Sequence, residues 1–347
     1  MKGNEALCEA AIRAGCQAYF GYPITPQNEV AEYMSRRMFE EGRQFVQTES
    51  EVATINMVFG AACAGARVLT SSSSPGISLM QEGISYAAAT EVPCVIVNIM
   101  RGGPGLGNIA PSQADYLQAT KGGGHGDYNI LVYGPVNVQE LSEIVYRAFD
   151  KADKWRSPVM VLGDGILGQM METVDFTNMP IQKNDLASKE SWAVTGCKGR
   201  GPNILYSLII VPEEMEKYNW HLQEKYARME AEEVVFDEFS CDDAEVVAVA
   251  YGIVARITKT VVRKMRDEGK KVGLFRPISL WPFPYARLTE LAKDRKRKFL
   301  VLEMAFEQLA QDVWLGVKDR DRVEGAYKLG GVLFNPAEVE EKISSIL

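Results

Sequence analysis

The chain has 347 residues, more than one ordinary hydrophobic core accommodates, so about two domains are expected. Apolar residues make up 46% and charged residues 24%, the balance of a soluble globular protein. A net charge of -8 excludes non-specific nucleic-acid binding, which needs clustered Lys and Arg. No apolar run approaches the roughly 20 residues needed to cross a bilayer. The opening MKGNEALCEAAIRAG reads as an amphipathic helix, not a secretory signal, because Glu5 and Glu9 interrupt it. A cytoplasmic location with no membrane partner is the expectation.

In chain order, residues 3–15 read as a helix and QAYFGYP as a strand entering a proline turn. Residues 26–41 carry apolar positions at helical spacing. RQFVQTE is a strand, and EVATINMVFGAACAGA a helix of small residues that must pack closely. RVLTSSSSPG is a strand ending in a polar turn, GISLMQEGISYAAATE a helix, and VPCVIVNIMR a buried strand. NILVYGP and PVMVLGD are two further strands flanking a helix over 137–155, which Asn137 caps with Glu140 three residues on. This alternation predicts a parallel sheet with helices on both faces.

Residues 176–240 read as a linker, irregular except for a charged helix from Pro212 that is polar on most sides. The α/β pattern then resumes over 241–347. AEVVAVAYGIVARI gives a strand and a helix, KKVGLFRPISLWPFP a strand, KFLVLEMAFEQLAQDVWLGV a strand and a helix. KLGGVLFNPAEVEEKISSIL closes with a strand, then a helix after Asn335. The first domain is placed at 1–175 and the second at 241–347.

Six cysteines, none spaced as CxxC, read as buried free thiols and offer no cluster ligand set. Only two histidines, His125 and His221, are present, which leaves a His-based zinc site or a Ser-His-Asp triad poorly supported. No metal ligand is assigned. GDG at 163–165 resembles the start of a diphosphate–Mg motif, but the paired Asn that must follow is missing, so it reads as a strand-end turn.

Chemistry concentrates in four segments that follow strands: GYPITPQNE (21–29), ESEVA (49–53), SSSSPG (71–76) and MRGGPGLGN (100–108). In an open α/β sheet, ligands bind outside the carboxyl ends of the strands. Any such sheet needs Gly and Pro turns there, but four together at one edge point to a site. These segments resemble the signatures of 2-oxoacid:ferredoxin oxidoreductases, in the subunit that binds the thiamine aminopyrimidine. The likeness runs in order through residues 1–170, and AYGIVAR and RPISLWPFP are similar to that family's second α/β domain. Length and the KGNEA opening most resemble the alpha-type subunit acting on branched 2-oxo acids; the 2-oxoglutarate relatives share the same signatures.

The resemblance implies an α/β fold of two doubly wound domains, a thiamine-diphosphate pyrimidine-binding domain followed by a transketolase C-terminal-like domain. It implies CoA-acylating oxidative decarboxylation of a 2-oxo acid with electrons passed to ferredoxin. By position in the matched motif, Glu51 would hydrogen-bond the aminopyrimidine N1′, with Glu49 the internal competitor. Thr25 would face the substrate, and Arg101 would bind its carboxylate by a bidentate pair. Tyr22, Pro23, Ile24, Ser74, Pro75 and Gly76 would lie against the cofactor. Each has a plainer alternative. Glu51 could solvate a helix end, Thr25 could cap the helix starting at Pro26, and Arg101 could form an ordinary salt bridge. His125 and Asp127, in GGGHGDY, could pin a loop or act in the site.

A beta-type subunit would bring the diphosphate site and Mg2+, and an iron–sulfur subunit the 4Fe–4S clusters. Coenzyme A would accept the acyl group. Two other readings stay open: a 2-oxoacid dehydrogenase or transketolase-like thiamine subunit, and an α/β binding protein that kept the fold without the chemistry.

Overall fold

The computed structural model describes residues 1–347. Twelve strands build two sheets. The first six are β1 (Ala18–Gly21), β2 (Gln44–Gln47), β3 (Val68–Ser72), β4 (Val95–Met100), β5 (Leu131–Tyr133) and β6 (Val159–Asp164). The others are β7 (Phe236–Phe239), β8 (Val246–Val249), β9 (Val272–Pro277), β10 (Ser279–Trp281), β11 (Lys298–Glu303) and β12 (Val323–Tyr327). The first sheet has the order β10-β5-β6-β4-β3-β1-β2 and the second β12-β11-β8-β9-β7. Within each, all pairs are parallel except the edge strands β10 and β7. Central strands β4 and β6 are buried at every position, which favours largely apolar runs such as VIVNIM, where Asn98 alone is polar. Two doubly wound domains result, as expected from the alternation.

Local chemistry explains several boundaries. Ser50 accepts a hydrogen bond from the Ala53 amide at 3.1 Å and starts the helix Glu51–Cys63. Asn137 accepts one from the Glu140 amide at 2.8 Å and starts Val138–Trp155. The small-residue helix does pack closely: a Cβ on Gly83 of the helix Ser74–Ala89 would stand 2.5 Å from Ile55 Cγ2. The charged helix runs Pro212–Glu232 and buries only Leu222, Lys225, Tyr226 and Met229. No helix is long and apolar enough to cross a membrane.

Several elements fall elsewhere than expected. The helix after the proline turn begins at Asn28, with Gln27 preceding it, so Thr25 does not cap it. Ser74, Pro75 and Gly76 form the first turn of the helix Ser74–Ala89 and not a polar turn, because proline is well suited to a first helical position. The last strand lies at Val323–Tyr327, upstream of the VLF run, while the helix after Asn335 starts as expected on a complete capping box. KKVGLFRPISLWPFP splits into two strands that serve different sheets. β7 arises inside the stretch expected as linker and pairs antiparallel with β9.

The two sheets form one body. β10 leaves the second sheet and pairs antiparallel with β5 of the first. Arg276 of β9 grips Glu140 through two bonds of 2.8 and 3.0 Å. Gln113 exchanges hydrogen bonds with the Met304 backbone and donates to the Tyr251 carbonyl at 2.9 Å. One apolar core continues from Tyr19 through Tyr116 and Tyr251 to Phe275 and Phe299.

Candidate active site

The four Gly-, Pro- and Ser-rich segments follow β1, β2, β3 and β4, which lie side by side in the first sheet. The chain runs from β1 outward to β2, then returns to the other side of β1 as β3. That reversal opens a crevice at the carboxyl ends of β1 and β3, the position where open α/β sheets bind ligands. The helix Glu51–Cys63 packs across both strands, so its first residue stands over the crevice.

Glu51 is 5% exposed, and its carboxylate takes part in none of the hydrogen bonds or ion pairs of the chain. Glu49 is exposed. A buried carboxylate without a partner carries a desolvation cost that a ligand donor would offset. It sits against bare backbone: a Cβ on Gly76 would stand 2.5 Å from Glu51 Oε1 and 2.0 Å from Ser72 Oγ. The hydroxyls of Thr70, Ser72 and Ser73 are also buried without partners. Ser71, by contrast, is spent on structure, hydrogen-bonding Gln27 at 2.5 Å and Tyr19 at 3.0 Å. An unpartnered carboxylate beside an unpartnered hydroxyl, Glu51 beside Ser72, suits an amphiphilic heterocycle with donors on one edge, and an aminopyrimidine has that character.

Arg101 ends the strand-to-loop passage after β4 and is 8% exposed. It forms no salt bridge. Its Nη1 donates to the Thr25 carbonyl at 3.0 Å and its Nη2 to the Leu106 carbonyl at 2.9 Å, while Nε has no partner. A buried guanidinium held by neutral carbonyls keeps its charge available to an anion. Thr25 is half-buried; its Oγ1 accepts only from the Asn28 side chain, at 3.3 Å. Tyr22 and Pro23 are exposed, and Ile24 is half-buried beside them.

Ser74 ties these parts together. Its Oγ accepts from the Arg101 amide at 3.0 Å and donates to Asp115 at 2.6 Å, and its amide donates to Asn98 at 3.1 Å. Asn98 also donates to Asp115, at 2.8 Å. Burial pushes the Asp115 carboxyl up despite those two donors. Asn98 and Asp115 carried no sequence signal, since a lone Asn in an apolar strand and an Asp in a loop are commonplace. Pro75 lines a cleft of about 430 Å³ that also reaches Arg101, Asp115 and the second domain.

The remaining candidates separate. Asp164 of GDG caps the short helix Gly165–Gln169 through the Ile166 and Leu167 amides, with burial raising its carboxyl to about 6. His125 and Asp127 are exposed; neither side chain pins the loop, though Asp127 adopts a left-handed φ of 46°. Four of the six cysteines are buried, but Cys197 is exposed and Cys63 half-buried. No group of three or more His, Cys, Asp or Glu side chains is placed to hold a metal ion.

Comparison with known proteins identifies relatives over the whole chain. Residues 9–235 match the thiamine-diphosphate-binding domain of pyruvate flavodoxin/ferredoxin oxidoreductases. Residues 244–339 match core domain II of pyruvate:ferredoxin oxidoreductase. A ketoisovalerate oxidoreductase subunit, VorB of Methanothermobacter thermautotrophicus, is 49% identical over 346 residues, covering 100% of this chain and 97% of that one. The 2-oxoglutarate synthase subunit KorA of Methanocaldococcus jannaschii is 35% identical over 368 residues, covering 99% of this chain and 98% of that one. Among solved structures, 2-oxoglutarate:ferredoxin oxidoreductase from Magnetococcus marinus superposes with a TM-score of 0.88 at 25% identity. All of this chain matches 64% of that one. A split-gene transketolase shares the fold at 14% identity, with a TM-score of 0.61 over 100% of this chain and 98% of that one.

The fold and its crevice therefore define a thiamine-diphosphate-binding α/β chain of the oxidoreductase type, with a transketolase-like second domain. The chain belongs to the 2-oxoacid:ferredoxin oxidoreductase family, as an alpha-type subunit of a multi-subunit enzyme.

Proposed function

We propose that this chain is the pyrimidine-binding subunit of an enzyme that oxidatively decarboxylates a branched-chain 2-oxo acid to its acyl-coenzyme A, with electrons passing to ferredoxin. The observation that carries the reading is the pairing, around one helical turn at Ser74–Gly76, of a buried unpartnered carboxylate and a buried guanidinium free of any ion pair. The branched-chain substrate follows from the ketoisovalerate relatives at 49% and 47% identity.

Bound thiamine diphosphate supplies the carbanion-stabilising chemistry of the decarboxylation. Glu51 would hold the aminopyrimidine by accepting a hydrogen bond at its carboxylate, whose charge is favoured by its place at a helix N-terminus. Ser72 lines the floor beneath Glu51, and the bare Gly76 gives the approach that a side chain would block. Arg101 binds the carboxylate of the 2-oxo acid through Nε and the outer edge of the guanidinium. Its bond to the Thr25 carbonyl orients the turn that presents the Thr25 hydroxyl to substrate. Tyr22, Pro23, Ile24 and Pro75 border the ring and keep water from it.

A beta-type partner would carry the diphosphate and Mg2+, and an iron–sulfur partner the 4Fe–4S clusters, in a cytoplasmic complex. The test is anaerobic purification of the assembled complex, followed by coenzyme A-dependent dye reduction with 3-methyl-2-oxobutanoate. Glu51→Gln should abolish turnover in a complex that still assembles. Unchanged turnover in that variant defeats the assignment of Glu51, and a wild-type complex inert to every 2-oxo acid defeats the function.

A further inference from the structure

The loop after β11 reaches the site from the second domain. It is fixed there with care: the Ser112 hydroxyl and Gln113 amide both donate to the Met304 carbonyl, and Gln308 donates to the Ala114 carbonyl at 2.7 Å. The Leu117 amide donates back to Gln308 at 3.0 Å. Two residues of β11's exit, Met304 and Gln308, are thus stitched to the segment that carries Asp115.

Between the stitches, the loop leaves apolar surface uncovered. Phe306 is 61% exposed and Leu329, from the turn after β12, is 56% exposed, yet both line the cleft that holds Arg101. Phe306 is braced from behind by Tyr327, ring centroids 5.2 Å apart. Across the cleft the Arg101 loop is held to the same turn: Asn108 donates to the Gly330 carbonyl at 2.9 Å. The cleft therefore has one cationic side chain, Arg101, one acidic side chain, Asp115, and an apolar wall of Met304, Phe306 and Leu329.

We infer that Met304, Phe306 and Leu329 form the wall that receives the side chain of the 2-oxo acid and select an uncharged aliphatic group over one ending in a second carboxylate. This rests on the proposed function. With Arg101 engaged by the first carboxylate, a second would find no cation in the cleft and would meet Asp115. A buried carboxylate facing another without a counter-ion is strongly disfavoured. A branched aliphatic group instead covers Phe306 and Leu329 and releases their water. Selectivity thus originates in the second domain, although the reacting groups belong to the first.

Leu329→Arg tests the inference in the assembled complex. It places a cation opposite Arg101. The ratio of kcat/KM for 2-oxoglutarate to that for 3-methyl-2-oxobutanoate should rise by at least about 10-fold, the scale on which a pocket rejects a mismatched group. Inhibition by unreactive carboxylates gives an independent reading: glutarate should gain on 3-methylbutanoate in the same variant. Phe306→Ala should lower kcat/KM for the branched substrate more than for pyruvate, whose single methyl group has less apolar surface to bury against the wall. A ratio within about 2-fold of wild type in an active Leu329→Arg complex overturns the wall. Loss of assembly on Phe306→Ala overturns it as well, by making that residue a subunit contact. If the wild-type complex fails with every 2-oxo acid, the proposed function falls first and takes the wall with it.

Discussion

Gly76 offers the sharpest perturbation of the Glu51 arrangement. Replacing it with alanine adds a single Cβ that would stand 2.0 Å from Ser72 Oγ, 2.5 Å from Glu51 Oε1 and 2.9 Å from Glu51 Cγ. Ordinary contacts need more than 3.4 Å, so the Glu51 side chain must retreat by roughly 1 Å and Ser72 must rotate. Overpacking a buried site in this way costs about 1–3 kcal/mol of stability. Displacing a reacting group by about 1 Å is enough to lower turnover about 100-fold. The assay is dye reduction by the assembled complex, paired with thermal unfolding of the isolated chain. Combining Gly76→Ala with Glu51→Gln should show strong non-additivity, because both act on one carboxylate. Full turnover with an unmoved melting temperature in Gly76→Ala would refute the packing described. Additive losses in the double variant would refute a route through Glu51.

Three further outcomes are expected. Arg101→Lys cannot keep both carbonyl bonds, to Thr25 and Leu106, and should raise KM for the 2-oxo acid about 10- to 100-fold, read by steady-state kinetics; an unchanged KM argues against carboxylate binding there. Glu303 is buried at the start of the helix Leu309–Val317, and burial raises its carboxyl from 4.5 to about 7 even though three backbone amides donate to it. The folded chain then holds a proton that the unfolded chain releases, so this contribution is full below pH 4.5 and is lost as pH rises through about 7. Relative to Glu303→Gln, the wild type should lose about 3 kcal/mol between those limits in urea titrations, and parallel pH profiles would contradict this. Glu233 accepts from the buried Trp155 indole at 2.7 Å and pairs with Lys151 and Lys154, so Glu233→Ala should destabilise the chain by about 3 kcal/mol in the same titrations.

The sequence by itself determined the layered α/β class, because the alternation of buried β-branched runs with helical spacing admits few other architectures. It also located the four loops, since Pro, Gly and Ser cluster where strands feed a crevice, and it favoured Glu51 over Glu49 by motif position. Capping signals are local, which is why Asn137 and Asn335 were legible as helix starts.

What the sequence did not carry was pairing between distant segments. Nothing in SLW marks it as an edge strand of the first sheet, and nothing in FDEF marks it as an edge of the second; both depend on which partner lies beside them. The same holds for the site. Asn98 and Asp115 matter only because Ser74 stands between them. Phe306 and Leu329 matter only because hydrogen bonds such as Asn108 to Gly330 and Gln113 to Met304 bring the second domain to Arg101, more than 200 residues away along the chain. Local chemistry wrote the elements and their turns, whereas burial, charge isolation and cleft shape came from long-range packing that no short window of residues encodes.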